Sequence, residues 1–212
     1  MSILTSIRRN SRMRRLGRWL EKRRKAWLYR WVSAGTSPAK PATPELLRGA
    51  RRILLVRPNF RLGNALISAR LIKAFADGHP DIEIDFIGTD TTAVLLNNMP
   101  LTHQFSLQRS MLLRPWQLFH LWRSLQHRHY DLVIQVADTS LTGWLCTKMS
   151  GARHTLGAQG RLATSYDWVY ETATEDAHAY DVTTYIAKAL QLPCEAKPWM
   201  VISEDEQHQA QK

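Results

Sequence analysis

A chain of 212 residues with 44% hydrophobic content is long enough for one globular domain with a sizeable core plus an appendage, and too short for two full domains. Its formal net charge of +11 lies at one end: residues 1–40 hold 12 Lys and Arg against one acid, Glu21, whereas positions 41–212 balance at 17 against 17. The basic character belongs to a tail, which excludes a uniformly basic domain. No apolar run is long enough to span a bilayer, and the first five residues lead into arginines without the apolar stretch of a secretory signal.

In chain order, the first predicted element is a basic amphipathic helix within residues 1–32. Apolar residues fall at Met13, Leu16, Trp19, Leu20, Trp27, Leu28, Trp31 and Val32, at near three-to-four spacing. Arg14, Arg15, Arg18, Lys22, Lys25 and Arg30 occupy the other face. Tryptophans beside an apolar stripe suit a headgroup boundary, and anionic lipid is the natural partner of such a helix. A solvated basic arm and a nucleic-acid arm are the competing readings; scattered arginines without an ordered apolar face would suffice for phosphate. Residues 33–48 turn to Ala, Thr, Ser and Pro, which reads as a linker.

The folded part, 49–202, opens with Ile53-Leu54-Leu55-Val56, the continuous apolar run of a strand buried on both faces. A loop follows, then a helical pattern at Leu66, Ile67, Leu71, Ile72 and Phe75. Residues 81–88 and 130–137 predict two more strands, and 92–98, 115–127, 141–149 and 180–190 predict helices. In the helix over 115–127 the apolar Trp116, Phe119, Leu121, Trp122 and Leu125 are expected to pack mostly inward. Strands alternating with helices imply an α/β fold with a Rossmann-like, doubly wound parallel sheet. Ligands in such sheets sit beyond the carboxyl ends of the strands, which singles out the loops at 57–64, 88–91 and 137–142. The first has one glycine, so it is neither GxGxxG nor a GK[ST] phosphate loop. Its plain structural reading is a strand-to-helix turn with Gly63 placed for close packing and Asn64 as helix cap. Cys146 and Cys194 are far apart, without metal-ligand spacing, and read as reduced thiols; no metal site is expected.

Residues 53–76, ILLVRPNFRLGNALISARLIKAFA, resemble the opening of family 9 glycosyltransferases, the bacterial lipopolysaccharide heptosyltransferases and their relatives. The resemblance continues in register through HPDIEIDFIG, YDLVIQVADTSLTGWLCTKMSGARHTLG and HAYDVTTYIAKALQLP, over about residues 50–195. It implies the first, acceptor-side half of a GT-B fold, with the donor-binding C-terminal domain absent from these 212 residues and 203–212 a polar tail. It also implies a metal-independent, inverting transfer of heptose from ADP-heptose to the inner core. The nucleotide sugar is a co-substrate, not a cofactor, and its site would lie on the other half, for which a separate donor-domain polypeptide is a candidate partner.

In the family the base is the Asp after the loop glycine, and the matching residue is Asn64. An amide has no lone pair basic enough to accept the acceptor's proton near neutral pH. The family's frequent Asp-Leu-Gln-Gly after the third strand becomes Gln135-Val136-Ala137-Asp138, which makes Asp138 a substitute base; its structural alternative is to cap the next helix. Arg57, Asn59, Arg61 and Gly63 are the acceptor-binding candidates, since arginine presents a bidentate fork to phosphate or carboxylate; a solvated loop charge is the alternative for Arg57 and Arg61. The expected setting is cytoplasmic, at the inner face of the bacterial inner membrane, with a lipid-linked saccharide as partner. A non-catalytic saccharide- or protein-binding domain is the second reading, favoured by Asn64.

Overall fold

Ile53 to Val56 form most of strand β2 (Arg52–Val56), and all four side chains are fully buried. An apolar run without alternation needs cover on both faces, and only an interior strand has it. In the computed structural model β2 pairs in parallel with β3 (Glu83–Gly88) on one side and β5 (Leu132–Gln135) on the other. The structure describes residue 23 and residues 38–58, 62–108, 110–111, 114–136, 140–172, 181–194 and 199, without the side chains of 62, 64 and 65. β4 (His103–Ser106) lies outside β3, and β6 (His154–Ala158), β7 (Trp168–Tyr170) and β1 (Lys40–Pro41) lie outside β5. The seven parallel strands stand in the order β1-β7-β6-β5-β2-β3-β4.

Alternate residues of the strands feed two cores. Ile53, Leu55, Phe86, Leu132 and Ile134 meet Leu71, Ile72 and Phe75 of helix α1 (Leu62–Gly78) and Ile186 and Leu190 of helix α5 (Asp181–Leu190). Leu54, Val56, Ile87 and Val133 meet Leu121 and Leu125 of α3 (Pro115–His127) and Cys146 of α4 (Leu141–Met149). Helix α2 (Asp90–Leu95) joins β3 to β4. Each such buried aliphatic side chain contributes roughly 1.5–3 kcal/mol. The doubly wound α/β sheet expected from the sequence is thus present. Burial pushes the Cys146 thiol up to about 12, so it is an inert core group.

α3 and α4 begin and end where the spacing predicts, because Pro115 occupies the first helical turn and Ser140 caps α4. Two expectations change. Residues 40–47, expected in the linker, are built into the domain: the Lys40 and Ala42 amides donate to the Asp167 and Val169 carbonyls at 3.0 and 2.8 Å. Leu46 and Leu47 enter the core. A proline is tolerated there because an edge strand needs partners on one side only. The inward packing expected of α3 holds for Leu121 and Leu125, whereas Trp116, Phe119 and Trp122 are exposed. The basic helix expected over 1–32, including Arg14, Arg15, Arg18, Trp19, Trp27 and Trp31, and the tail 203–212 lie outside the described residues, Arg23 apart.

Candidate active site

From the central pair β2 and β5 the sheet grows outward in opposite directions, which makes the carboxyl ends of these two strands the switch point at which doubly wound sheets have their ligand crevice. The last ladder rung pairs Val56 with Gln135, and the Val136 amide donates to the Val56 carbonyl at 3.0 Å. Segment 57–61 then leads to α1, and segment 136–140 leads to α4. Arg57, Asn59, Arg61, Gly63 and Asn64 belong to the first, and Asp138 to the second. The topology therefore brings to the same edge of the sheet Arg57, with the start of α1, and Val136, with the cap of α4. Asn59, Arg61 and Asp138, and the side chain of Asn64, lie outside the described residues.

Arg57 is only 4% exposed, and its amide donates to the Ile87 carbonyl at 3.0 Å. Such burial removes the solvated-loop reading for this arginine. α1 opens at Leu62, which puts Asn64 inside its first turn and not at the cap expected from the sequence. Gly63 is exposed, and a methyl group added there meets no described atom within 4 Å. The cap of α4 is Ser140, whose Oγ accepts from the Gly143 amide at 3.0 Å. That occupies the role proposed as the structural alternative for Asp138.

α1 and α4 both direct their N-terminal turns to this edge of the sheet, and neither carries an acid in its first turn. Unpaired amides and the helix dipole favour negative charge there. Between the end of β5 and the cap of α4 lies a buried polar network that no sequence pattern flagged. The Tyr166 hydroxyl donates to Gln135 Oε1 at 2.6 Å, and Gln135 Nε2 donates to the Ser140 carbonyl at 3.1 Å. Tyr170 adds a contact from its hydroxyl to the Gln135 carbonyl at 3.3 Å. The Tyr166 ring is seated over Gly157, where a Cβ would clash with it. The substitution of Gln135 for the family's Asp, and the glycine in His154-Thr155-Leu156-Gly157, were the only signals available. On the same edge, a cavity of about 650 Å³ opens where β1 and β7 end, lined by Tyr170, Glu171, Tyr185 and Lys188 among others.

No protein-family model and no curated protein matches the sequence. Solved structures do match. A family 9 glycosyl transferase from Veillonella parvula superposes with a TM-score of 0.61 at 14% identity, over 76% of this chain and 47% of its own. The fold is heptosyltransferase-like. E. coli heptosyltransferase WaaC with ADP-2-deoxy-2-fluoro heptose superposes on 69% of this chain and 50% of its own, with a TM-score of 0.58 at 17% identity. E. coli ADP-heptose lps heptosyltransferase II gives 0.55 at 18% identity, over 75% and 49%. The chain spans about half the length of these heptosyltransferase-fold proteins.

Proposed function

We propose that this chain is the acceptor-holding half of a heptosyltransferase-type glycosyltransferase, working on a phosphorylated, lipid-linked saccharide at the cytoplasmic face of an anionic membrane. The observation that carries the reading is the crevice between β2 and β5, in a fold shared with heptosyltransferases. Buried Arg57 and the N-termini of α1 and α4 lie at that edge of the sheet, and no described atom comes within 4 Å of a methyl group added at Gly63. Those groups suit an anionic sugar. Arg57, Asn59, Arg61 and Gly63 hold it, Asn64 orients the attacking hydroxyl, and Asp138 accepts its proton. The reaction is inverting and metal-independent, and heptose arrives as ADP-heptose on a donor half that lies on another stretch of polypeptide.

Calorimetry with a phosphorylated inner-core oligosaccharide tests the acceptor site. The intact chain binds it, and the dephosphorylated sugar binds at least tenfold more weakly, as expected when phosphate is held by charge-assisted hydrogen bonds. Equal affinity for both sugars, or none for either, sinks the proposal. A non-catalytic binding module is the second reading, favoured by the amide at position 64. Heptose transfer to that oligosaccharide once a donor-binding half is supplied would count against it.

A further inference from the structure

On α3, a helix of 3.6 residues per turn, Leu118, Leu121 and Leu125 fall on one side and pack against the sheet. Trp116 and Phe119, with His120, Arg123 and His127, fall on the opposite side, and Trp122 flanks them. Trp116, Phe119 and Trp122 are 59%, 50% and 40% exposed, and the Phe119 and Trp122 rings touch at a centroid distance of 5.4 Å. Three large aromatic side chains in water on one helix face are a cost that a monomeric domain normally avoids.

The charge around them says what covers them. Between Asp90 and Asp131 the chain has no acidic residue, but it has four arginines and four histidines. Arg128 is turned inward to Asp85 and Glu83, whereas Arg114, Arg123, His120 and His127 are exposed beside the aromatic face. Aromatic rings set among arginines, without acids, match the boundary between anionic headgroups and acyl chains. The other occupants within reach fit badly: the segment 1–40 carries +11 itself, and a second copy would present the same basic face.

We propose that the exposed aromatic face of α3 docks on an anionic lipid bilayer, as a second contact beside the basic N-terminal segment; this rests on the membrane reading given above. The placement suits the crevice. α3 crosses back from the end of β4 to the start of β5, so Trp116 lies at the edge of the sheet where β2 and β5 end. A bilayer under α3 then presents a lipid-linked saccharide to that edge.

Co-sedimentation of the full chain with vesicles tests this, using phosphatidylcholine alone or with about one third phosphatidylglycerol. The parent chain sediments with the anionic vesicles only. The variant Trp116→Ser/Phe119→Ser/Trp122→Ser, altered at exposed sites, keeps its circular dichroism but needs at least tenfold more anionic lipid. A second variant, Trp19→Ser/Trp27→Ser/Trp31→Ser, measures the N-terminal contribution separately. If the parent chain binds and the α3 variant binds equally well, α3 docking is overturned while the membrane reading stands. Failure of the parent chain to sediment removes both. A dimer of the parent chain that the α3 variant dissociates, with vesicle binding unchanged, overturns the proposal in favour of a second copy.

Discussion

Arg128 ends α3 and turns its guanidinium onto β3, where Nε reaches Asp85 Oδ2 at 2.8 Å and Nη2 reaches Asp85 Oδ1 and Glu83 Oε2 at 3.1 Å. The Asp85 carboxylate has no exposed surface, and the Tyr130 hydroxyl donates to it at 2.7 Å. Burial, and then the bond to Asp85, push the Tyr130 phenol well above its ordinary value, so it remains a donor throughout the accessible pH range. The bond to Asp85 likewise raises Arg128, which stays charged. Removing one partner strands a buried charge, which costs about 3–5 kcal/mol. Arg128→Met is expected to cost about 3 kcal/mol in urea unfolding, at the lower end because Tyr130 still serves Asp85. Arg123→Met, exposed on the same helix, should change stability by less than about 0.5 kcal/mol. Similar losses for the two would deny the cluster its structural role. Asp131 is structural in the same sense, since its Oδ2 accepts from the Arg51 and Arg52 amides at 2.8 and 3.1 Å where β2 starts. The Tyr-Asp pair that contributed to the family resemblance thus marks the fold, not the chemistry.

At the scale of elements, the crevice depends on how β5 hands over to α4. Gln135, Tyr166 and Ser140 connect β5, the segment before β7 and the α4 cap, and Gly157 makes room for the Tyr166 ring. Tyr166→Phe leaves Gln135 Oε1 without this donor in a buried site, a loss of about 1–3 kcal/mol. The expected local result is faster hydrogen exchange at the Gly143 amide, by about tenfold for a loss of 1.4 kcal/mol. Unchanged exchange there would show that the network does not fix the segment holding Asp138. Legibility differs by element for physical reasons. α3, α4 and the central strands were readable because burial on one or two faces imposes a period or a run on the sequence. β4 and β1 are short edges of mostly polar residues, β6 mixes His, Thr and Gly with its apolar residues, and β7 has three residues, so none imposes a pattern. The crevice was legible as loops after strands, but Tyr166 and Gly157 were not, because their role arises from a meeting of distant segments.

For the whole molecule, the strand order places β1 at the far edge from β4, laid along β7. Lys40 adds a contact of its ammonium with the Trp168 ring, 5.5 Å from the centroid. The boundary between appendage and domain therefore falls before residue 40, several positions earlier than the shift in composition suggests, because a Pro- and Thr-containing stretch can serve as an edge strand and a 3-10 turn at Pro44–Leu47. Leu46 and Leu47 belong to the core beneath α5, at 8% and 5% exposure. This separates two truncations that look alike in sequence. A chain beginning at residue 38 retains β1 and both leucines, whereas one beginning at residue 48 loses the burial of two large aliphatic side chains, about 3–6 kcal/mol. Relative to the first, the second is expected to unfold at a urea concentration lower by roughly 1.5–3 M, given a slope of about 2 kcal/mol/M for a domain of this size. Equal midpoints would mean that residues 38–47 lie on the sheet without holding it, and that the domain starts where its composition changes.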